Sequence, residues 1–172
     1  MQGCYNVLFL CTGNSARSIM AEAIMNFKGR PSFIAHSAGS HPAGLVHPQA
    51  LRQLEIARLP TARLRSKPWD EFARPGAPEL NFVFTVCDAA AKEVCPIWPG
   101  QPMTAHWGVP DPAAVAGTPE QIERAFREAF MILDRRISLL MCLPLGSLEK
   151  LAIQNELDRI GKEASDLEAR GA

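Results

Sequence analysis

Apolar runs and amphipathic stretches alternate along the chain, separated by small or helix-breaking residues. Tyr5 to Leu10 carries the run Val7-Leu8-Phe9-Leu10 and predicts a buried strand. Ile19, Met20, Ala23, Ile24 and Phe27 then recur at helical spacing, which predicts a helix from near Ser18. Phe33-Ile34-Ala35 predicts a second short strand, ending in Ser37-Ala38-Gly39, and Pro48 to Glu55 reads as a helix with proline in its first turn. Between residues 58 and 81, Pro60, Pro68, Pro75 and Pro78 predict a loop interrupted by a short helix around Trp69 to Phe72. Phe82 to Val86 is the strongest strand signal and ends directly at Cys87. Cys95 to Gly117 is irregular, with a short strand near Thr104 to His106. Thr118-Pro119-Glu120 then starts a helix whose core face is Ile122, Phe126, Phe130, Leu133, Ile137 and Leu140.

Strands alternating with helices predict an α/β fold, a single domain with an open parallel sheet flanked by helices, over residues 1–145. Residues 146–172 form a helical extension, with Ser147 as its cap and Ile153, Leu157, Ile160, Ala164 and Leu167 as its seam. Gly161 interrupts it, and so brief a seam needs a partner, either the domain itself or a second copy in a homodimer.

Composition narrows the partners. Eighteen basic residues balance eighteen acidic ones without a long cationic run, which argues against a nucleic acid or an anionic membrane surface. No apolar run approaches a membrane span and the start lacks the pattern of a secretory signal, so cytoplasmic residence is expected. There the five cysteines, Cys4, Cys11, Cys87, Cys95 and Cys142, are reduced at rest. Their spacing offers no zinc hook, so no metal is expected. Cys4 and Cys142 read as small apolar core residues at element ends.

The chemistry starts between the first strand and first helix, at Cys11-Thr12-Gly13-Asn14-Ser15-Ala16-Arg17-Ser18. Small residues closing onto a helix N-terminus turn backbone N–H groups into one concavity, which suits a tetrahedral oxyanion. Arg17 grips two of its oxygens, and the same field is expected to make Cys11 a thiolate, hence a nucleophile. Alone, this describes a phosphatase, with Asp111 as either a general acid or merely the cap of the turn at Pro112. Open sheets bind ligands at the carboxyl ends of their strands, where Cys87 also falls. With Cys95 following after seven intervening residues, a thiol pair beside the loop suggests two-electron chemistry.

The chain resembles the arsenate reductases built on the low-molecular-weight tyrosine phosphatase fold. The resemblance spans about residues 5 to 143 and rests on CTGNSARS at 11–18, SAG at 37–39 and RSKPWDEF at 65–72. FTVCD at 84–88, CPIWPG at 95–100 and HWGVPDPA at 106–113 complete it. It implies that Cys11 attacks arsenic while Arg17 and the amides of Thr12, Gly13, Asn14, Ser15 and Ala16 hold the oxygens. It further implies that Asp111 protonates the departing hydroxyl, Ser18 bonds the Cys11 thiolate and Asn14 braces the loop. Cys87 would then release arsenite by forming a disulfide with Cys11. Cys95 would draw that disulfide onto itself, for reduction by thioredoxin or a glutathione and glutaredoxin system. No organic cofactor is implied. A phosphatase of the same fold and a non-catalytic oxyanion-binding module are the alternatives.

Two positions depart from the family pattern. Some members hold potassium through residues matching Asn14, Glu22, Ser37 and a carboxylate. Lys67 stands where that carboxylate aligns, which argues for its ammonium in place of the ion. Ala113 replaces the aromatic residue that follows the Asp-Pro pair in tyrosine phosphatases, which argues against a phosphotyrosine stacking surface.

Overall fold

The computed structural model describes residues 3–163. Strands β1 (Tyr5–Leu10), β2 (Phe33–Ala38), β3 (Phe82–Thr85) and β4 (Met103–His106) form one wholly parallel sheet in the order β2-β1-β3-β4. The helices are α1 (Arg17–Lys28), α2 (Pro48–Ile56), α3 (Asp88–Lys92), α4 (Pro119–Met141) and α5 (Lys150–Lys162). The predicted short helix at Trp69–Phe72 is a single 3-10 turn.

Alternation along the strands divides the interior. Val7, Phe9, Phe82 and Phe84 point into the larger core, with Ile19 and Met20 of α1, Leu54 of α2, and Phe126, Leu133 and Ile137 of α4. Leu8, Leu10 and Val83 point the other way, onto Phe72, Leu80 and Trp98. This division bears on the cysteines. Cys11 and Cys87 belong to the larger core, whereas Cys95 packs against the smaller one.

Thr118 starts α4 as its sequence suggests, with Thr118 Oγ1 accepting from Gln121 N at 3.2 Å and Gln121 Oε1 accepting from Thr118 N at 2.9 Å. The extension behaves differently at its start. Ser147 does not cap α5; its hydroxyl donates to the Pro144 carbonyl, and Glu149 is the residue before the helix. Ile153, Leu157 and Ile160 are buried within the chain, so α5 spends this part of its seam on the domain. Ala164 and Leu167 lie outside the described residues. Trp107 Nε1 donates to the Leu157 carbonyl (3.0 Å), and Gln154 Nε2 donates to the Thr104 carbonyl on the edge strand β4 (2.8 Å). Gly161 permits this approach, because a Cβ there would run into the His106 carbonyl oxygen.

Cys4 and Cys142 are exposed, contrary to the core role expected of them. Cys4 precedes the first paired residue of β1, and Cys142 follows Leu140, the last buried position of α4. Among the described residues no helix is long and apolar enough to cross a membrane.

Candidate active site

The loop after β1 is shaped from outside. The carbonyls of Thr12, Gly13 and Ser15 accept from the backbone N–H groups of His41 (2.9 Å), Ala43 (2.9 Å) and His47 (2.8 Å), all between β2 and α2. A trans peptide points its N–H opposite to its C=O, so the N–H groups of Gly13, Asn14 and Ala16 are turned inward. Helix α1 opens behind Ala16, which has no side-chain acceptor, so its first amides are left for a ligand. Gly39, the last residue of the SAG motif, lies so close beneath the loop that a Cβ would run into the Thr12 carbonyl oxygen.

Asn14 adopts φ 43°, and its buried side chain knots the loop rather than lining the cavity. Its Nδ2 donates to Ser18 Oγ (2.8 Å) and its Oδ1 accepts from Lys67 N (2.9 Å). Ser18 Oγ accepts this bond, which leaves its hydroxyl proton to donate elsewhere, and Asn14 braces the loop. Lys67 is buried, with Nζ 3.8 Å from Glu22 Oε2 and donating to the Arg65 carbonyl at 2.9 Å. Ser37 Oγ donates to the same Glu22 oxygen at 2.6 Å. With an ammonium already facing this carboxylate, the residues present do not fit a potassium ion.

Above the loop is a cavity of about 860 Å³, lined by Cys11, Thr12, Gly13, Ser15, Ala16 and Arg17 together with Cys87 and Asp111. Arg17 Nη1 donates to the Val109 carbonyl at 2.9 Å, and its Nη2 is 3.5 Å from Asp111 Oδ2. Arg136 of α4 donates to the Trp107 (3.0 Å) and Gly108 (2.7 Å) carbonyls. Two arginines thus hold three consecutive carbonyls and fix the turn that presents Asp111. That aspartate caps the turn as one reading expected, Oδ1 accepting from Ala113 N at 3.0 Å, while Oδ2 faces Arg17.

Cys11 and Cys87, 6% and 3% exposed, stand just beyond the ends of the neighbouring strands β1 and β3 and line the same cavity. Cys87 Sγ accepts from Ala90 N, at the start of α3, and from Thr12 N, each at 3.4 Å. The neighbouring Cys11 side chain, with these backbone donors, brings the Cys87 thiol down to about 5. The neighbouring Cys87, followed by burial, pushes the Cys11 thiol up. The thiolate expected of Cys11 is opposed by its neighbour Cys87 and by burial and favoured by the Arg17 charge.

Several contacts here escaped the sequence reading. Thr12 Oγ1 donates to Glu93 Oε1 at 3.1 Å, and His106 bridges Asp88 Oδ1 (Nε2, 2.8 Å) and Thr85 Oγ1 (Nδ1, 2.8 Å). Gly161, Lys162 and Glu163 of the extension line the cavity wall. Only the Thr118 type of local signal is readable in sequence, and none of these contacts carries one. Cys95 stands apart from the paired sulfurs, its Sγ 3.8 Å from the Glu93 carbonyl.

A four-stranded parallel sheet with a cysteine-to-arginine anion loop between its first strand and helix defines a class. The chain belongs to the low molecular weight phosphotyrosine protein phosphatase family, which it matches over residues 6–156. Among curated relatives, the arsenate reductase of Halalkalibacterium halodurans is 34% identical over 131 residues, covering 76% of this chain and 91% of that protein. The structure of arsenate reductase from Archaeoglobus fulgidus superposes with TM-score 0.57 at 27% identity, covering 77% of this chain and 98% of that one. A thioredoxin-dependent arsenate reductase from Corynebacterium glutamicum gives TM-score 0.54 at 28% identity, covering 80% and 63%.

Proposed function

We propose that this protein reduces arsenate to arsenite through a relay of three cysteines, serving arsenic detoxification in the reducing cytoplasm. The observation that carries the reading is that Cys11 and Cys87, from the ends of neighbouring strands, line one cavity over the anion loop. A hydrolase needs the first sulfur and has no use for the second, whereas a two-electron reduction needs both. The similarity to arsenate reductases supports the same reading.

Arsenate enters the ring of inward amides, and Arg17 turns to hold two oxygens. Cys11 attacks arsenic as its proton passes to Cys87, and Asp111 protonates the departing hydroxyl, which leaves as water. Cys87, deprotonated again, attacks the Cys11 sulfur. The S–S bond forms, the S–As bond breaks, and its electron pair stays on arsenic, which departs as arsenite. Two thiols have been oxidised and one arsenic reduced. Cys95 then attacks the Cys87 sulfur and frees Cys11, and the 87/95 disulfide passes to an external thiol reductant. That reductant is thioredoxin, as the name of the Corynebacterium glutamicum protein suggests, or glutathione with glutaredoxin.

A phosphatase of the same fold is the second reading, favoured by the family match and by Asp111 beside Arg17. Arsenite production with each thiol reductant, measured beside aryl phosphate hydrolysis, separates the two. The relay predicts arsenite from the wild type and none from Cys87→Ala. Efficient hydrolysis without arsenite under every reductant overturns it.

A further inference from the structure

The segment between Cys87 and Cys95 is fastened at both ends by side chains. At its start, Asp88 Oδ1 meets His106 Nε2 of β4 at 2.8 Å. At its far end, Glu93 Oε1 accepts from Thr12 Oγ1 in the anion loop at 3.1 Å. Between them lies only the short α3, Asp88–Lys92. The flanking positions contribute little anchorage, since Val94 is 95% and Ile97 93% exposed.

This fastening opposes the second thiol exchange. Cys87 packs in the larger core and Cys95 against the smaller one, on the other face of the sheet. One of them must travel before the sulfurs meet, because a disulfide brings the Cα atoms within about 7 Å and the Cβ atoms within about 4.5 Å. Asp88 adjoins Cys87 and moves with it, whereas Glu93 lies two residues from Cys95 and ties that end to the loop.

We infer that Glu93 is a positioning residue for the relay: its hydrogen bond from Thr12 holds the Cys95 segment away from Cys87, so that arsenic chemistry precedes disulfide transfer. This rests on the three-cysteine reading. In the step it controls, the Cys95 sulfur attacks Cys87, the Cys87–Cys95 bond forms, the Cys11–Cys87 bond breaks, and Cys11 leaves as the thiolate. Holding Cys95 back protects arsenite release, since Cys87 must stay beside Cys11 until the S–As bond has broken.

Glu93 also stands near Cys95, whose thiol is pushed up by burial and, after it, by the Glu93 charge. The test therefore separates the hydrogen bond from the charge. Glu93→Ala removes both, while Glu93→Gln keeps an acceptor for Thr12 and removes only the charge. Reduced protein is mixed with one equivalent of arsenate, quenched at intervals with an alkylating agent, and mapped for disulfides by mass spectrometry beside arsenite assay. The quantity read is the rate of Cys87–Cys95 formation divided by the rate of arsenite release. One hydrogen bond of ordinary strength corresponds to about a fivefold rise for Glu93→Ala, with Glu93→Gln within about twofold of wild type. An unaltered or lower ratio in Glu93→Ala, or an equal rise in Glu93→Gln, overturns the inference. If wild type itself never forms the Cys87–Cys95 disulfide, the relay fails and the latch with it. If wild type forms it and the variants fail as described, the latch alone is overturned.

Discussion

Cys11 and Cys87, just beyond the ends of the paired strands β1 and β3, line one cavity, so two sulfurs serve a single anion site. The Cys87 sulfur accepts from the backbone N–H groups of Ala90 and Thr12. With the Cys87 thiol lowered and the Cys11 thiol raised, Cys87 is placed to act as base to the nucleophile. Binding and deprotonation of Cys11 are linked events, and the pH behaviour of the pair follows.

With Cys87 lowered from 9.0 to about 5, the unfolded chain binds a proton between those values that the native protein does not. Stability from this group is complete above pH 9 and is lost as pH falls toward 5. Cys11, pushed up, acts oppositely above pH 9, where the unfolded thiol ionises and the native one does not. Urea unfolding from pH 6 to 8 should show wild type gaining stability relative to Cys87→Ala, and thiolate absorbance near 240 nm should show the native pair carrying one charge at pH 7. In Cys87→Ala the main cause of the raised Cys11 thiol is gone, so Cys11 should ionise at lower pH than in wild type.

Lys67 and Glu22 make a buried pair beneath the loop. Burial raises the Glu22 carboxyl and lowers the Lys67 ammonium, and each partner's charge opposes the other's shift. Lys67→Met should cost about 3 kcal/mol, because removing one member leaves the other's charge buried alone. The Lys67→Met/Glu22→Gln double variant should recover part of that. Thermal unfolding at equal ionic strength in potassium and sodium chloride should give the wild type one Tm in both.

Asp111→Asn keeps an oxygen to cap Ala113 but cannot donate a proton to the departing hydroxyl. First-turnover arsenite release should fall by about 10²-fold or more while Tm changes little. A large loss of Tm with normal turnover would assign Asp111 to the turn alone.

The extension is part of the domain's energetics. Leu157 is fully buried against the larger core, and its carbonyl holds Trp107 Nε1. Leu157→Ala should cost about 3 kcal/mol by loss of burial and the cavity left behind, read by urea unfolding.

What was legible in the sequence was local. The apolar run before Cys11, the small residues of the loop and the Thr118 box each encode their structure within a few positions, and the strands and helices fall where periodicity puts them. The influence of Cys87 on the Cys11 thiol was not legible, because it depends on a residue arriving from a different strand. Asn14 braces the loop as expected, but its partners were not legible: it bonds Ser18 and, across 53 residues of sequence, Lys67. Cys4 and Cys142 were misjudged because one small residue at an element's end carries no periodicity. The cavity wall from Gly161 to Glu163 depends on how α5 lies across β4, which no nearby residue announces.

The central claim is that the anion loop feeds a thiol relay rather than hydrolysis. Its most direct test is a single turnover of fully reduced Cys95→Ser protein with one equivalent of arsenate, assayed for arsenite and mapped for disulfides. The account predicts one arsenite per chain and a Cys11–Cys87 disulfide. Free Cys11 and Cys87 with arsenate unchanged would contradict it.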